Sequence, residues 1–218
     1  MPTNRAEHRA QRRRMSVEER REQIVNAAAT LFDKHGYAAV SVDDIAEVIG
    51  IAKPTLYYYF SSKTDILDAI HAAVSDFVHA RFHDPARQSM STPRQLFEAM
   101  ADTLEMNVAL PGYQRVYVEH SRELADATRE IRRERRDLYR SLVAGLLHRG
   151  IEEGIFQVAD VRLTTHQILG MVSYSYQWYS ADAFPPPREI AVVFWQNMMS
   201  GIATPAYLAE NPTMALPA

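Results

Sequence analysis

Residues 53–63 read KPTLYYYFSSK, and the run of three tyrosines beside a phenylalanine, bracketed by lysines, decides how the chain is read. A helix turns about 100° per residue, so Tyr57, Tyr58 and Tyr59 cannot all face one core. Placed on a helix, Leu56 and Phe60 fall four apart on one side, with Tyr59 leaning toward them. Pro54, Tyr57 and Tyr58 fall on the opposite side at i, i+3 and i+4. The first stripe can pack against neighbouring helices. The second is left outside as a proline and two phenol rings, flanked by Lys53, Thr55 and Lys63. Proline is tolerated in a helix's first turn, which puts the helix start at Lys53 or Pro54.

Helical spacing continues on both sides. Ile24, Ala27, Ala28, Leu31 and Phe32 recur with that period, and Gly36 stands where a left-handed cap stops a helix. Ser41 and Asp44 form a capping-box pair that opens a short helix with Ile45, Ala46 and Ile49 inward, and Gly50 ends it. Ser62 and Asp65 repeat the box before a longer helix carrying Leu67, Ile70, Val74, Phe77 and Val78 on one face. Beyond Pro85 the spacing predicts helices over 93–110, 113–124, 128–153, 162–180 and 188–203. Pro111-Gly112, Gly154 and Pro185-Pro186-Pro187 separate them. Strand-like alternation is missing, so the expected fold is all-α with about nine helices. It divides into a basic arm at 1–15, a helix-turn-helix module at 16–62 and a larger helical body at 63–218.

Composition narrows the class. The chain's 218 residues, 47% hydrophobic and 23% charged, suffice for a proper core without covalent staples. Cysteine is absent, which excludes disulfides and thiolate metal sites and fits a cytoplasmic protein. No run approaches the roughly 18 apolar residues of a membrane span, and no apolar stretch follows the charged start as in a signal peptide. The net charge of -3 gives no pointer to nucleic acid, but its distribution does. Arg5, Arg9, Arg12, Arg13, Arg14, Arg20 and Arg21 stand against Glu7, Glu18 and Glu19 in the first 21 residues. Composition alone favours a disordered, solubilising tail.

Two short helices joined at a glycine turn form the helix-turn-helix pattern, whose second helix enters the DNA major groove. There the outer stripe has a use: ring and proline surface meets thymine methyls, hydroxyls reach phosphates or base edges, and lysines neutralise phosphates. Residues 24–67, IVNAAATLFDKHGYAAVSVDDIAEVIGIAKPTLYYYFSSKTDIL, resemble the DNA-binding domain of the tetracycline-repressor (TetR) family of transcriptional regulators. The string from Gly50 to Lys63 after the Gly36-Tyr37 pair carries that resemblance. It implies that Ser41 caps the second helix and contacts phosphate. It further implies DNA contacts from Lys53, Pro54, Thr55, Tyr57, Tyr58 and Tyr59, with Lys63 on a phosphate at the next helix's start. Tyr59 fits packing as well as DNA contact. Asp43 stands where some members place a base-reading arginine, which removes that contact here. The arm has the chemistry to enter the adjacent minor groove.

For the body, the resemblance implies a ligand cavity in each subunit and a dimer interface between subunits. LGMVSYSYQWY at 169–179 and IAVVFWQNMMSGI at 190–202 are apolar over more than one face, as helices pairing with symmetry mates would be. The cavity candidates are Met100, Leu104, Tyr113, Tyr117, Met171, Tyr174 and Trp178, although each also fits ordinary core. TREIRRERRDLYR at 128–140 reads as a solvated face paired through Glu130, Glu134 and Asp137. The same arginines have the chemistry to hold the phosphates of a coenzyme A thioester. Trp178-Tyr179 followed by Pro-Pro-Pro-Arg-Glu-Ile is similar to TetR regulators that sense acyl-CoA.

His79 and His83 are four apart without a recognisable third ligand, so no metal is expected. No nucleophile–base grouping, phosphate loop or paired-carboxylate motif stands out, and no cofactor is expected. The expected function is a homodimeric, cytoplasmic repressor, not an enzyme, released from a palindromic double-stranded DNA operator by a hydrophobic effector or acyl-CoA thioester. The alternatives are a helical-bundle enzyme or small-molecule carrier, and a TetR-fold activator or ligand-independent repressor.

Overall fold

A computed structural model describes residues 15–212, and among these the chain is helical, with eleven α-helices, one 3-10 helix and no β-strand. The first four are α1 (Val17–His35), α2 (Val42–Ile49), α3 (Lys53–Tyr59) and α4 (Lys63–Phe82). The body follows as α5 (Pro85–Gln88), α6 (Thr92–Ala109), α7 (Tyr113–Glu119), α8 (Asp126–Glu152) and α9 (Val161–Ser173). A 3-10 turn at Tyr174–Gln177, α10 (Pro187–Ile202) and α11 (Pro205–Glu210) complete it. Arg5, Arg9, Arg12, Arg13 and Arg14 of the arm lie outside the described residues, whereas Arg20 and Arg21 sit on α1.

Local chemistry explains the helix starts. Ser16, Ser41 and Ser62 each complete a capping box, accepting the N–H of Glu19, Asp44 and Asp65 at 3.0, 3.2 and 3.1 Å. It also explains where helices end early. α7 stops at Glu119 rather than continuing to Leu124, because the Arg129 guanidinium takes the Arg122 and Leu124 carbonyls at 3.1 and 2.9 Å. α9 stops at Ser173 rather than Ser180. The Gln114 amide takes the Ser173 carbonyl at 2.8 Å, and the Ser175 hydroxyl donates to Val172 at 2.7 Å. α5 and α11 are too short for periodicity to announce.

Two apolar cores form. The first joins Ile24, Ala28 and Phe32 of α1 with Ile45, Leu56, Phe60 and the N-terminal half of α4. It runs past residue 62, taking in Ile66, Leu67, Ile70 and Val74, together with Met106, Tyr113, Val116 and Leu124. The second surrounds α6, whose Leu96, Phe97, Met100 and Leu104 pack with Val143, Leu146, Ile168, Val172 and Trp195. Carboxylates on α6 bind it to its neighbours. Arg87 pairs with Asp102 through both terminal nitrogens, and Arg94 and Arg188 both hold Glu98. Burial of Glu98 and Asp102 is tolerable because each is paired.

A joint ties α7 to α1. Tyr113 donates its hydroxyl to Asn26 Oδ1 at 2.6 Å, and Arg115 pairs with Asp33 at 2.7 Å, both partners lying on α1. Between them the chain passes very close to α1. At Gly112 (φ +81°) an added Cβ would stand 2.9 Å from both the Ala29 oxygen and Asp33 Cβ. Gly112→Ala should therefore cost about 1–3 kcal/mol of unfolding free energy in a urea titration. An unchanged midpoint would show that the joint has slack.

Candidate functional site

α2 and α3 are joined by a left-handed Gly50 (φ +69°), which turns the chain without a Cβ clash. Leu56 and Phe60 are buried in the first core and Tyr59 is half-buried, edge-on to Tyr58 at a centroid distance of 5.1 Å. Tyr57 and Tyr58 remain 44% and 76% exposed, and Lys53, Pro54 and Thr55 are exposed beside them. The outer stripe of α3 therefore stands free. α1 braces its far end: Arg21 donates to the Tyr59 carbonyl at 2.7 Å and lies 4.1 Å over the Phe60 ring.

Two lysines on this face are already occupied. Lys53 Nζ bonds Asp43 at 2.9 Å, so the carboxylate at the position of a base-reading arginine neutralises a neighbour. Lys63 departs further from expectation. Its ammonium donates to the carbonyls of Tyr37 and Val40 at 2.8 and 2.9 Å and sits 4.2 Å over the Tyr37 ring. Lys63 does have a core to join: it pins the α1–α2 connection to the start of α4, leaving one of its three donors. Ser41 is likewise engaged, its hydroxyl bonding Asp44 at 2.8 Å.

The body contains a cavity of about 340 Å3 between α4, α6, α7, α8 and α9. Val74, Val78, Met106, Val118 and Leu169 give it apolar walls. Its polar side comes from α8, as Arg132, Arg135, Arg136 and Arg140. Arg140 and His166 also belong to an adjoining open groove with His148 and Arg162. The run at 128–140 is thus split. Arg129 and Arg133 pair with Asp126 and Glu130 on the outside, as interleaved charges should. Arg135 and Arg140 face the cavity while also pairing with Asp76 and Asp137.

Of the seven cavity candidates, Tyr117 alone lines this space. Met100 and Leu104 are buried in the second core, on a helix covered on nearly every side. Tyr113 serves the joint with α1, where burial pushes its hydroxyl up to about 12. Met171 packs against the second core, Tyr174 is 60% exposed, and Trp178 contacts Tyr179, Phe184 and Phe194. The arginines were legible in retrospect. Counting back from buried Gly150, Val143 and Leu147 at helical period leads to Tyr139, Arg136 and Arg132.

Behind the cavity lies His71 of α4, 2% exposed, with its ring centroid 5.0 Å from that of Tyr117. Burial, with Arg132 and His120 nearby, drives its pKa down to about 3. The imidazole is therefore neutral at pH 7. No described group of three or more histidine, cysteine or acidic residues could hold a metal, and no described helix is long and apolar enough to cross a membrane.

Comparison with known proteins agrees with these two parts. Residues 24–70 match the model for bacterial regulatory proteins of the tetR family, and residues 90–202 match the tetracyclin repressor-like C-terminal domain. The chain is 30% identical over 192 residues to the HTH-type transcriptional repressor KstR2 of Mycobacterium tuberculosis, covering 85% of this chain and 94% of that one. The structure of that ketosteroid transcriptional regulator superposes with a TM-score of 0.79 at 25% identity, over 87% of this chain and 98% of the other. PfmR from Thermus thermophilus gives 0.76 at 26% identity, over 82% and 97% of the two chains. AibR, solved with isovaleryl coenzyme A and operator DNA, gives 0.71 at 22% identity over 84% and 97%, a likeness of fold. The chain belongs to the TetR family: it is a DNA-binding transcriptional regulator with an N-terminal helix-turn-helix and a C-terminal regulatory domain.

The geometry separates two kinds of residue at the α3 face. Tyr58→Ala should weaken binding to DNA from the gene's own upstream region by about tenfold or more at fixed salt, with the melting temperature unchanged. Lys63→Ala should instead lower unfolding free energy by about 1–2 kcal/mol, since it leaves two carbonyls without a donor. The reverse pattern would mean that the roles have been exchanged. His71 gives a pH signature. Unfolded histidine takes its proton below about 6.5, whereas the folded residue resists until about 3. His71 should therefore make stability fall by up to about 1.4 kcal/mol per pH unit below 6.5. Urea titrations at pH 5 and 7 of wild type and His71→Gln check this, and equal slopes would count against it.

Proposed function

We propose that this regulator is a homodimeric repressor that releases a palindromic operator when a hydrophobic, phosphate-bearing effector, an acyl-CoA thioester, fills the cavity of the body. In this reading residues 16–62 are the DNA head and residues 63–218 are the effector and dimer body. The protein acts by binding alone, without catalysis, in the cytoplasm where its DNA target lies. The observation that carries the effector class is the division of the cavity wall. Apolar side chains from α4, α6, α7 and α9 suit an acyl group. Arginines on α8, continuing into the groove with Arg162 and His148, suit phosphates.

DNA contact falls to the exposed stripe of Lys53, Pro54, Thr55, Tyr57 and Tyr58, with Ser41 and the last donor of Lys63 at phosphates and Tyr59 chiefly packing. Asp43 tempers the charge of Lys53 and leaves the aromatic surface to read the groove. Two such helices would enter successive major grooves about 34–36 Å apart. Pairing uses the outer faces of α9 and α10, where Leu163 and Val193 are exposed, together with exposed Tyr174 of the 3-10 turn that follows α9. An added Cβ at Gly201 of α10 meets nothing within 4 Å. Its small size therefore serves no packing within the chain and permits close approach by a second copy. Similarity to KstR2, itself named a repressor, supports the direction of control.

A thermal-shift series tests the effector class. A ligand present at 100 times its Kd stabilises the folded state by about 2.7 kcal/mol. Decanoyl-CoA should raise the melting temperature and release upstream DNA, while the double variant Arg136→Ala, Arg140→Ala should blunt both effects. A shift by uncharged hydrophobic compounds with none from thioesters would remove coenzyme A from the reading.

A further inference from the structure

Two residues of the cavity wall, Gln114 and Arg132, each carry a buried polar atom without a hydrogen-bond partner. Gln114 is 4% exposed, and its Nε2 donates to the Ser173 carbonyl at 2.8 Å. A carbonyl cannot accept from an amide oxygen, so this bond fixes which way the amide points. Gln114 Oε1 is left buried with nothing to accept from. Arg132 is held by two contacts: Nη2 donates to the Tyr117 carbonyl at 2.9 Å, and the guanidinium lies 4.3 Å over the Tyr117 ring. Its Nε is buried with nothing to donate to. Two hydroxyls on the wall are spent on the backbone. Ser75 donates to the His71 carbonyl at 3.1 Å and Thr103 to that of Ala99 at 3.2 Å. An orphaned acceptor and an orphaned donor in one mostly apolar cavity call for a partner that supplies both.

We propose that the effector's apolar portion carries a hydroxyl, with an O–H that donates to Gln114 Oε1 and an oxygen lone pair that accepts from Arg132 Nε. A plain alkyl chain would leave both buried atoms unpaired. A hydroxylated one satisfies them, and Gln114 thereby sets specificity for oxygenated over saturated ligands. This deepens the cavity reading and rests on it, but not on coenzyme A.

Calorimetric titration of the full-length protein with two matched pairs of probes decides the matter. The pairs are decanoyl-CoA with ω-hydroxydecanoyl-CoA, and decanoate with ω-hydroxydecanoate. The hydroxylated member should bind about tenfold more tightly in whichever pair binds. In Gln114→Met, close in size but without the acceptor, the ratio should fall several-fold toward unity. A merely structural role for Gln114 would lower the melting temperature and leave the ratio alone. Equal affinities within a binding pair overturn the proposal while the thioester reading stands. A hydroxyl preference among the free acids with no thioester binding sustains it and removes coenzyme A. If none of the four probes binds, water satisfies these atoms and the proposal falls.

Discussion

The structure depends on α4 belonging to both cores. Its first half buries Ile66, Leu67 and Ile70 in the first core, Val74, Val78 and His79 further along form one wall of the cavity, and Phe82 at its end packs against the second core. Interiors are packed like crystals and resist continuous deformation, so α4 cannot be pushed at one end without disturbing the other. The joint at Gly112, Tyr113 and Arg115 gives α1 a second, independent tie to the body. A ligand that prefers one arrangement of α4 and α7 therefore prefers one placement of the head. Linkage then makes the effect of DNA on ligand equal to that of ligand on DNA.

The fold was written in short-range signals. Two serines three residues before an aspartate, two glycines at positive φ and a proline in a first turn marked the starts of α2, α3 and α4 and the ends of α1 and α2, because capping is local chemistry. Helix ends made by distant side chains were not legible. Arg129 closes α7 and Gln114 helps close α9, and neither contact is visible in the spacing around the break. The same limit governed the cavity. α6 is buried on almost all sides, so nothing in its pattern says which face meets core and which meets empty space. Met100 and Leu104 were as good as Thr103 and Met106 until the neighbouring helices were in place.

The two lysines of the opening stretch show how one residue type takes different work from its surroundings. Lys53 reaches an exposed carboxylate in high dielectric, where such a pair contributes little and yields readily to a phosphate. Lys63 reaches two carbonyls and a ring that have no other donor nearby, so pulling it away would leave polar groups unsatisfied. Both stand beside α3 on a helical projection. Only the path of the α1–α2 connection, which brings Tyr37 and Val40 beneath Lys63, distinguishes them. The tyrosines divide by a simpler rule, since Leu56 and Phe60 claim the one available core and leave Tyr57 and Tyr58 without any.

Arg132 raises a question of energetics that the body as a whole must answer. Among the described residues it has no carboxylate partner within ion-pair distance, and burial disfavours its charged form. A half-buried cation held by one carbonyl and one aromatic face, with its Nε buried and unpaired, carries an uncompensated desolvation cost. His71 beside it stays neutral, which at least spares a second charge. Retaining such a cation makes the empty cavity less stable than it could be, and widens the gap between empty and filled states. Ligand-driven control further requires that a ligand pair these atoms better in one conformation than in the other, since it shifts an equilibrium only by its differential affinity.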